Sequence, residues 1–375
     1  MADVRIPWAR PYLGTEEVAA VTALLEERRL SMGREVAQFE AEMARLAGRT
    51  HALALANGSV ALDVALRLAG VGAGDGVLVS AFSYIATTNS IFWQGARPVF
   101  CDIDPVTLNV DLDDARARMT PATRAFLVAD YCGSPADYDA IEAFCDGAGI
   151  ALVVDGAQAV GGSFHGRSSL ARGRVATTSL HTAKAFLTGE GGMVFLDDAA
   201  LLERGRRLRG QGEVPGRKYI HDTLAYNYRL TELSAAIGRA QIARVDEVLG
   251  RRAALVARYR EQLATVEGVT FAGHHAGATP SWFSFAILIP DRDAVAASLR
   301  EAGIETRSLY PIPSYRQPIP EYAPYAGLDL PNTEHAAAHV LNPPLFYEMT
   351  DAEVDEVCDA IATALAAART LDRRV

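Results

Sequence analysis

Apolar residues recur at helical spacing over 15–28 and again over 35–46, which predicts two helices, with Thr15 as the first N-cap and Gly48 as the second stop. From residue 50 the pattern changes to short apolar runs. His51–Leu55, 77–79, 98–101, 124–129, IALVVD (150–155) and 175–180 each read as a strand. Between them VALDVALRLAG (60–70), a polar stretch at 111–118 and residues 135–147 read as helices. Strands alternating with helices predict an α/β fold with a mostly parallel, doubly wound sheet. IALVVD is an almost unbroken apolar run ending on a carboxylate, the signature of a parallel strand buried on both faces.

Further along, 198–209 reads as a helix, followed by a glycine-rich basic loop over 209–221 that contains Arg217 and Lys218. A loop of that length in a compact domain is functional or crosses to a partner. A long helical pattern then runs from Glu232 to about residue 263, with Gly238 and Gly250 inside it at close-packing points or a kink. After it come a strand-like run at 282–289, a helix at 291–302, a proline-rich surface loop YPIPSYRQPIP (310–320) and a last helix near 350–369. The change of pattern predicts a large domain over 1–245 and a smaller α+β domain over 246–375.

Composition narrows the class. With 36 Lys plus Arg against 46 Asp plus Glu, the net charge is −10, which disfavours nucleic acid or an anionic membrane as the main partner. The cysteines Cys101, Cys132, Cys145 and Cys358 show no CxxC spacing, so reduced thiols in a cytoplasmic protein are expected, with no metal. No apolar run approaches ~18 residues, and the N-terminal stretch lacks a basic-then-apolar signal pattern.

Two residues carry candidate chemistry. Asp155 ends the IALVVD strand, and open α/β sheets place their chemistry at the carboxyl ends of strands. Lys184 follows the next strand-like run, with apolar Ala-Phe-Leu after it, and a desolvated lysine becomes a usable amine nucleophile. This pair suits pyridoxal phosphate, the acid keeping the pyridine nitrogen protonated and the lysine holding the aldehyde as an imine. A strand-terminal cap and a surface lysine account for the two residues equally well. Asn57-Gly58-Ser59 joins a strand to a helix start and outlines an anion site; in isolation a Ser59 N-cap with no ligand is the simpler reading. Tyr84 can cover a planar ring or serve as a core aromatic.

NGSVALDVAL, SAFSYIATTNSI, VVDGAQAVGGSF, SLHTAK followed by GEGGMVF, YNYRLTELSAAIGRAQ and NPPLFYEMTDAEVDEV stand in this order along the chain. Together they resemble the DegT/DnrJ/StrS family of pyridoxal-phosphate aminotransferases, which mostly act on keto sugars carried by nucleotides. The resemblance implies the fold type I architecture of such enzymes and an amino group drawn from glutamate or glutamine. It implies that Lys184 forms the imine, Asp155 meets the pyridine nitrogen and Gln158 lies near the phenolic oxygen. It also implies that Tyr84 stacks on the ring, that Gly58, Ser59 and Ser179 bind phosphate, and that Asn227 reaches the phosphate from the partner subunit of a homodimer. Arg229 and Tyr315 are expected near the accepted substrate. The chain departs from the family where a histidine is frequent: at Asp130 to Gly133, which reads DYCG, and at Tyr315. A related dehydratase would carry histidine in place of Lys184. A keto-cyclitol aminotransferase and a catalytically idle ligand sensor are also compatible with these motifs.

Overall fold

The structure is a computed structural model and describes residues 4–372. Two helices, α1 (Thr15–Glu26) and α2 (Arg34–Ala47), precede an alternating region. There β1 (His51–Leu55), α3 (Gly58–Leu68), β2 (Gly76–Ser80), α4 (Ile85–Phe92), β3 (Arg97–Cys101), α5 (Leu112–Arg118) and β4 (Thr123–Ala129) follow one another. Next come α6 (Tyr138–Ala148), β5 (Ala151–Asp155), β6 (Val175–Ser179) and β7 (Gly192–Leu196). The strands form one seven-stranded sheet in the order β1-β7-β6-β5-β4-β2-β3. Neighbours from β3 through to β6 are parallel, while β7 is antiparallel to both β6 and β1.

Strand alternation decides which residues meet on each face. Leu152, Val154, Phe126 and Val128 pack in one core, beneath α2 and α6. Val153, Ala125, Leu127, Leu53 and Leu55 pack in the other, beneath α3 and α4. Asp155 is in register with Ala129 of β4 and Thr177 of β6, so its side chain shares the α3 face at the carboxyl edge of the sheet.

The rest of the chain adds α7 (Ala199–Arg209), α8 (Glu232–Ile242), α9 (Val245–Leu263), α10 (Arg292–Glu301), α11 (Pro331–His339) and α12 (Asp351–Asp372). A third core joins Leu255, Tyr259, Phe285, Leu299, Val357 and Ile361, and Ile6 from the N-terminal segment enters it. Val354 and Leu365 of α12 belong to the same core. Among the described residues no helix is long and apolar enough to cross a membrane.

Several sequence expectations need correction. The 209–221 stretch contains a two-stranded hairpin, Glu213–Val214 with Arg217–His221. All five residues of its second strand are exposed, so no apolar alternation marks it. The long helical pattern breaks between α8 and α9 at Arg244, not at either glycine. Around the break, Gln241 donates to Tyr12 O and Glu17 Oε1, and Arg244 pairs with Glu16 and Glu17 of α1, tethering the chain there. Gly238 is a close-packing point, since a Cβ there would lie 2.5 Å from Phe39, whereas Gly250 has open space. Of residues 282–289 only Ile287–Leu288 pairs as a strand. The carbonyls of Trp282 and Phe283 instead accept from the buried Arg252 guanidinium at 2.7 and 2.6 Å. Gly14 and Asn57, not Thr15 and Ser59, occupy the N-cap positions of α1 and α3.

Glu232, buried at the start of α8, accepts from the N–H groups of Gly33, Glu35 and Val36 at 2.8, 3.1 and 2.9 Å. It therefore satisfies the otherwise unpaired N-terminus of α2 from another element. Glu232→Gln keeps the volume but turns one acceptor into a donor facing those N–H groups. A loss of about 2–3 kcal/mol is expected in a denaturant melt.

Candidate active site

The carboxyl edge of the sheet opens into a cavity of about 490 Å³. Its wall includes seven of the residues singled out from sequence: Gly58, Ser59, Tyr84, Asp155, Gln158, Ser179 and Lys184. They arrive from several places in the fold. Asp155 ends β5, Ser179 ends β6, Lys184 lies in the turn-rich segment between β6 and β7, and Tyr84 is the residue before α4.

At one wall Asn57 caps α3, its Oδ1 accepting from Val60 N–H at 3.0 Å. That leaves Gly58 and Ser59 in the first helical turn, whose N–H groups have no partner inside the helix and attract an anion. Gly58 also allows Ser179 to come close: a Cβ on it would lie 2.8 Å from Ser179 Cβ. The corner therefore gathers backbone donors and hydroxyls around a space that any larger residue at 58 would narrow.

Asp155, on the same cavity wall, is buried. Its Oδ2 accepts from the Thr87 hydroxyl at 2.7 Å and its Oδ1 from Ala157 N–H at 3.1 Å. Burial raises the Asp155 pKa, while those two bonds and the Lys184 charge work against the rise. Burial lowers the Lys184 amine to about 8, and Asp155 opposes the fall. The Nζ lies 4.3 Å from the centre of the Phe283 ring, an apolar face that strips water from the ammonium. Although Lys184 remains partly accessible from the cavity, its surroundings bring it near the neutral range where an amine acts as nucleophile or base.

Another part of the wall is aromatic. Tyr310 lies 6.2 Å from Tyr84, 5.8 Å from Phe82 and 6.4 Å from Tyr131 between ring centres. Its hydroxyl accepts from Gln158 Nε2 at 2.8 Å. Tyr84 keeps more than half its surface exposed, so it can lie over a planar ligand.

Three expected site residues lie elsewhere. Tyr315 is a correction: it is buried, its hydroxyl bonds to Glu334 and its ring packs 5.9 Å from Phe100, so it turns into the core and away from the cavity. The aromatic of that segment on the cavity wall is Tyr310. Asn227 and Arg229 are outside this chain's cavity wall; Asn227 is exposed, and the Arg229 backbone bridges to Leu55. Asp130, from the DYCG departure, belongs to the cavity wall, yet its Oδ1 is held by Tyr138 Oη at 2.6 Å and Ala136 N–H at 3.2 Å. Burial raises its pKa to about 6.

Sequence reasoning missed Thr87, Phe283 and Tyr310. Thr87 had a legible signal, because the SYIATTNS run places a hydroxyl one helical turn after Tyr84.

An amine lowered to about 8 and a buried carboxylate thus share one cavity with the α3 N-terminus and an aromatic wall, at the carboxyl edge of an open α/β sheet. Comparison with known proteins gives the class of enzyme. Residues 11–362 match the DegT/DnrJ/EryC1/StrS aminotransferase family, and the chain belongs to it. It is 35% identical to a GDP-perosamine synthase of Caulobacter vibrioides over 96% of this chain and 99% of that protein. It is equally 35% identical to a pleiotropic regulatory protein of Geobacillus stearothermophilus, over 93% and 94% of the two chains. The crystal structure of S. venezuelae DesV in complex with a ketimine intermediate superposes with a TM-score of 0.91 at 34% identity, covering 96% of this chain and 98% of that one.

Proposed function

We propose that the protein binds pyridoxal phosphate in this cavity and moves an amino group from glutamate or glutamine onto a keto sugar, carried by a nucleotide, in amino-sugar biosynthesis. The observation that carries the reading is the pairing of Lys184, lowered to about 8, with the buried Asp155 in one cavity. The residues fit the cofactor: the α3 N-terminus with Ser59 and Ser179 for the phosphate, Asp155 for the ring nitrogen, Gln158 for the ring hydroxyl and Tyr84 for the ring face. Bound pyridoxal phosphate supplies an aldehyde for amine capture and a protonated ring that accepts an electron pair.

The chain's own groups do the rest. Lys184 would hold the cofactor through its amine and, as the base of the cavity, would take up and give back the proton at the donor's α-carbon. Asp155 would place a negative charge against the ring nitrogen, and the Thr87 hydroxyl and Ala157 N–H donate to that carboxylate and favour its charged form. With a ketone in place of the donor, the same lysine would serve as the proton donor.

The reading as an idle regulator gains weight only from the name of one relative. The filled lysine and aspartate positions favour an enzyme. Lysine at 184 also counts against a dehydratase. A panel of keto sugars, keto-cyclitols and other ketones, added to amino-loaded protein, tests the acceptor class. Nucleotide-linked keto sugars are expected to restore the cofactor's original spectrum. Restoration by a keto-cyclitol alone would move the substrate class, and restoration by none would remove the transferase reading.

The proposal includes a cytoplasmic homodimer with shared sites and a boundary near residue 245 between the large and small domains. Asn227 supports the sharing: it is exposed, stands outside its own chain's cavity and follows a projecting hairpin. Capping does not account for it, because Thr231 caps α8, its Oγ1 accepting from Ser234 N–H at 3.1 Å. Mixing Lys184→Ala protein with an inactive Asn227→Ala variant is expected to restore part of the activity, since one site of each mixed dimer keeps both residues. No recovery after confirmed subunit exchange would mean that each chain completes its own phosphate corner.

A further inference from the structure

With Nε2 of Gln158 donating to Tyr310, the amide oxygen Oε1 is left buried with no hydrogen-bond partner. A buried amide oxygen without a donor is costly, by more than a typical net hydrogen bond stabilises, so its place on a ligand cavity points to a ligand donor. Tyr310 itself is firmly placed. Leu309 N–H donates to Oδ1 of the fully buried Asn342 at 3.0 Å, and Tyr131 Oη donates to Leu309 O. Asn342 Nδ2 is committed to Phe285 O at 3.1 Å. Burial raises the Tyr310 phenol above its ordinary pKa, so it keeps its proton across the working range and can either accept or donate.

We infer that Tyr310 is a positioning residue that holds the Gln158 amide against the ring oxygen of the bound cofactor in either protonation state. This rests on the pyridoxal phosphate reading above. A neutral ring hydroxyl donates to Oε1 in the orientation observed. An ionised ring oxygen needs a donor. Half a turn of the amide then supplies Nε2 to the oxygen and leaves Oε1 accepting from the Tyr310 hydroxyl. A phenol suits both arrangements because it carries one donor and acceptor lone pairs. An aliphatic or phenylalanine side chain at 310 suits neither.

The test is a spectroscopic pH titration of the cofactor-loaded protein, whose visible-edge band reports the proton shared by the lysine nitrogen and the ring oxygen. Tyr310→Phe keeps the ring packing and removes only the hydroxyl. The amide then loses its anchor, the ring oxygen loses a well-held donor and its proton affinity rises. The band should persist to higher pH, its midpoint rising by about 0.5–1 pH unit. If Tyr310 acts through Gln158, the same substitution in a Gln158→Leu background should add no further shift. An unshifted midpoint in Tyr310→Phe, or an equal shift in the Gln158→Leu background, would overturn the inference while leaving the cofactor reading intact. Wild-type protein that takes up no pyridoxal phosphate would overturn the cofactor reading, and this inference with it.

Discussion

Lys184→Ala is expected to lower transamination by roughly 10⁴-fold or more, since on the proposed reading it removes both the amine that holds the aldehyde and the general base. The fold should be unaffected. Among the described residues the Lys184 side chain makes no hydrogen bond or salt bridge; its contact is the Phe283 ring at 4.3 Å. Its lowered pKa carries a definite sign for stability. The folded protein binds this proton less tightly than the unfolded chain, so the ammonium's desolvation cost is present in full below about 8 and is relieved as pH rises from there toward the ordinary lysine value of 10.5. Replacing the lysine by alanine removes that cost at neutral pH. A thermal melt near pH 7 should therefore show Lys184→Ala at least as stable as the parent, with the difference shrinking above pH 8. Near-normal turnover in this variant would show that the nucleophile had been misassigned.

Asp155→Asn is the second large effect. The amide fits the same space, with its oxygen on Ala157 N–H and its nitrogen on the Thr87 hydroxyl, so the local bonds can survive. What disappears is the negative charge that the proposed reading sets against the ring nitrogen. Without it the ring loses its proton and accepts the electron pair poorly. The donor half-reaction should slow on the order of 100-fold or more, a barrier increase of about 2.7 kcal/mol. Rapid mixing with glutamate measures it directly. An unchanged rate at normal cofactor content would contradict the role given to Asp155.

Much of this was legible because burial on both sheet faces leaves a strong mark. β5 is an apolar run broken only by its final carboxylate, and a carboxylate at that place needs a reason. Lys184 stands out in the same way, as a charge among apolar neighbours. What was not legible depends on contacts distant in sequence. Tyr310 reads as part of a proline-rich surface loop, and only Asn342, Tyr131 and Phe82 turn it into a wall of the site. Tyr315 shares that loop but is drawn into the core by Glu334 and Phe100. Phe283 reads as part of a strand because nothing local shows that Arg252 takes its carbonyl. The exposed hairpin at 213–221 leaves no trace in the pattern because a strand with neither face buried has no period to read.

On the proposed reading Lys184 covalently holds pyridoxal phosphate in the cavity it shares with Asp155. Incubation of the purified protein with pyridoxal phosphate, borohydride reduction and peptide mapping by mass spectrometry test it in one step. Loss of the visible-edge band on reduction and a single cofactor adduct on the peptide that carries Lys184 are expected. An adduct on another lysine, or none at saturating cofactor, would contradict it.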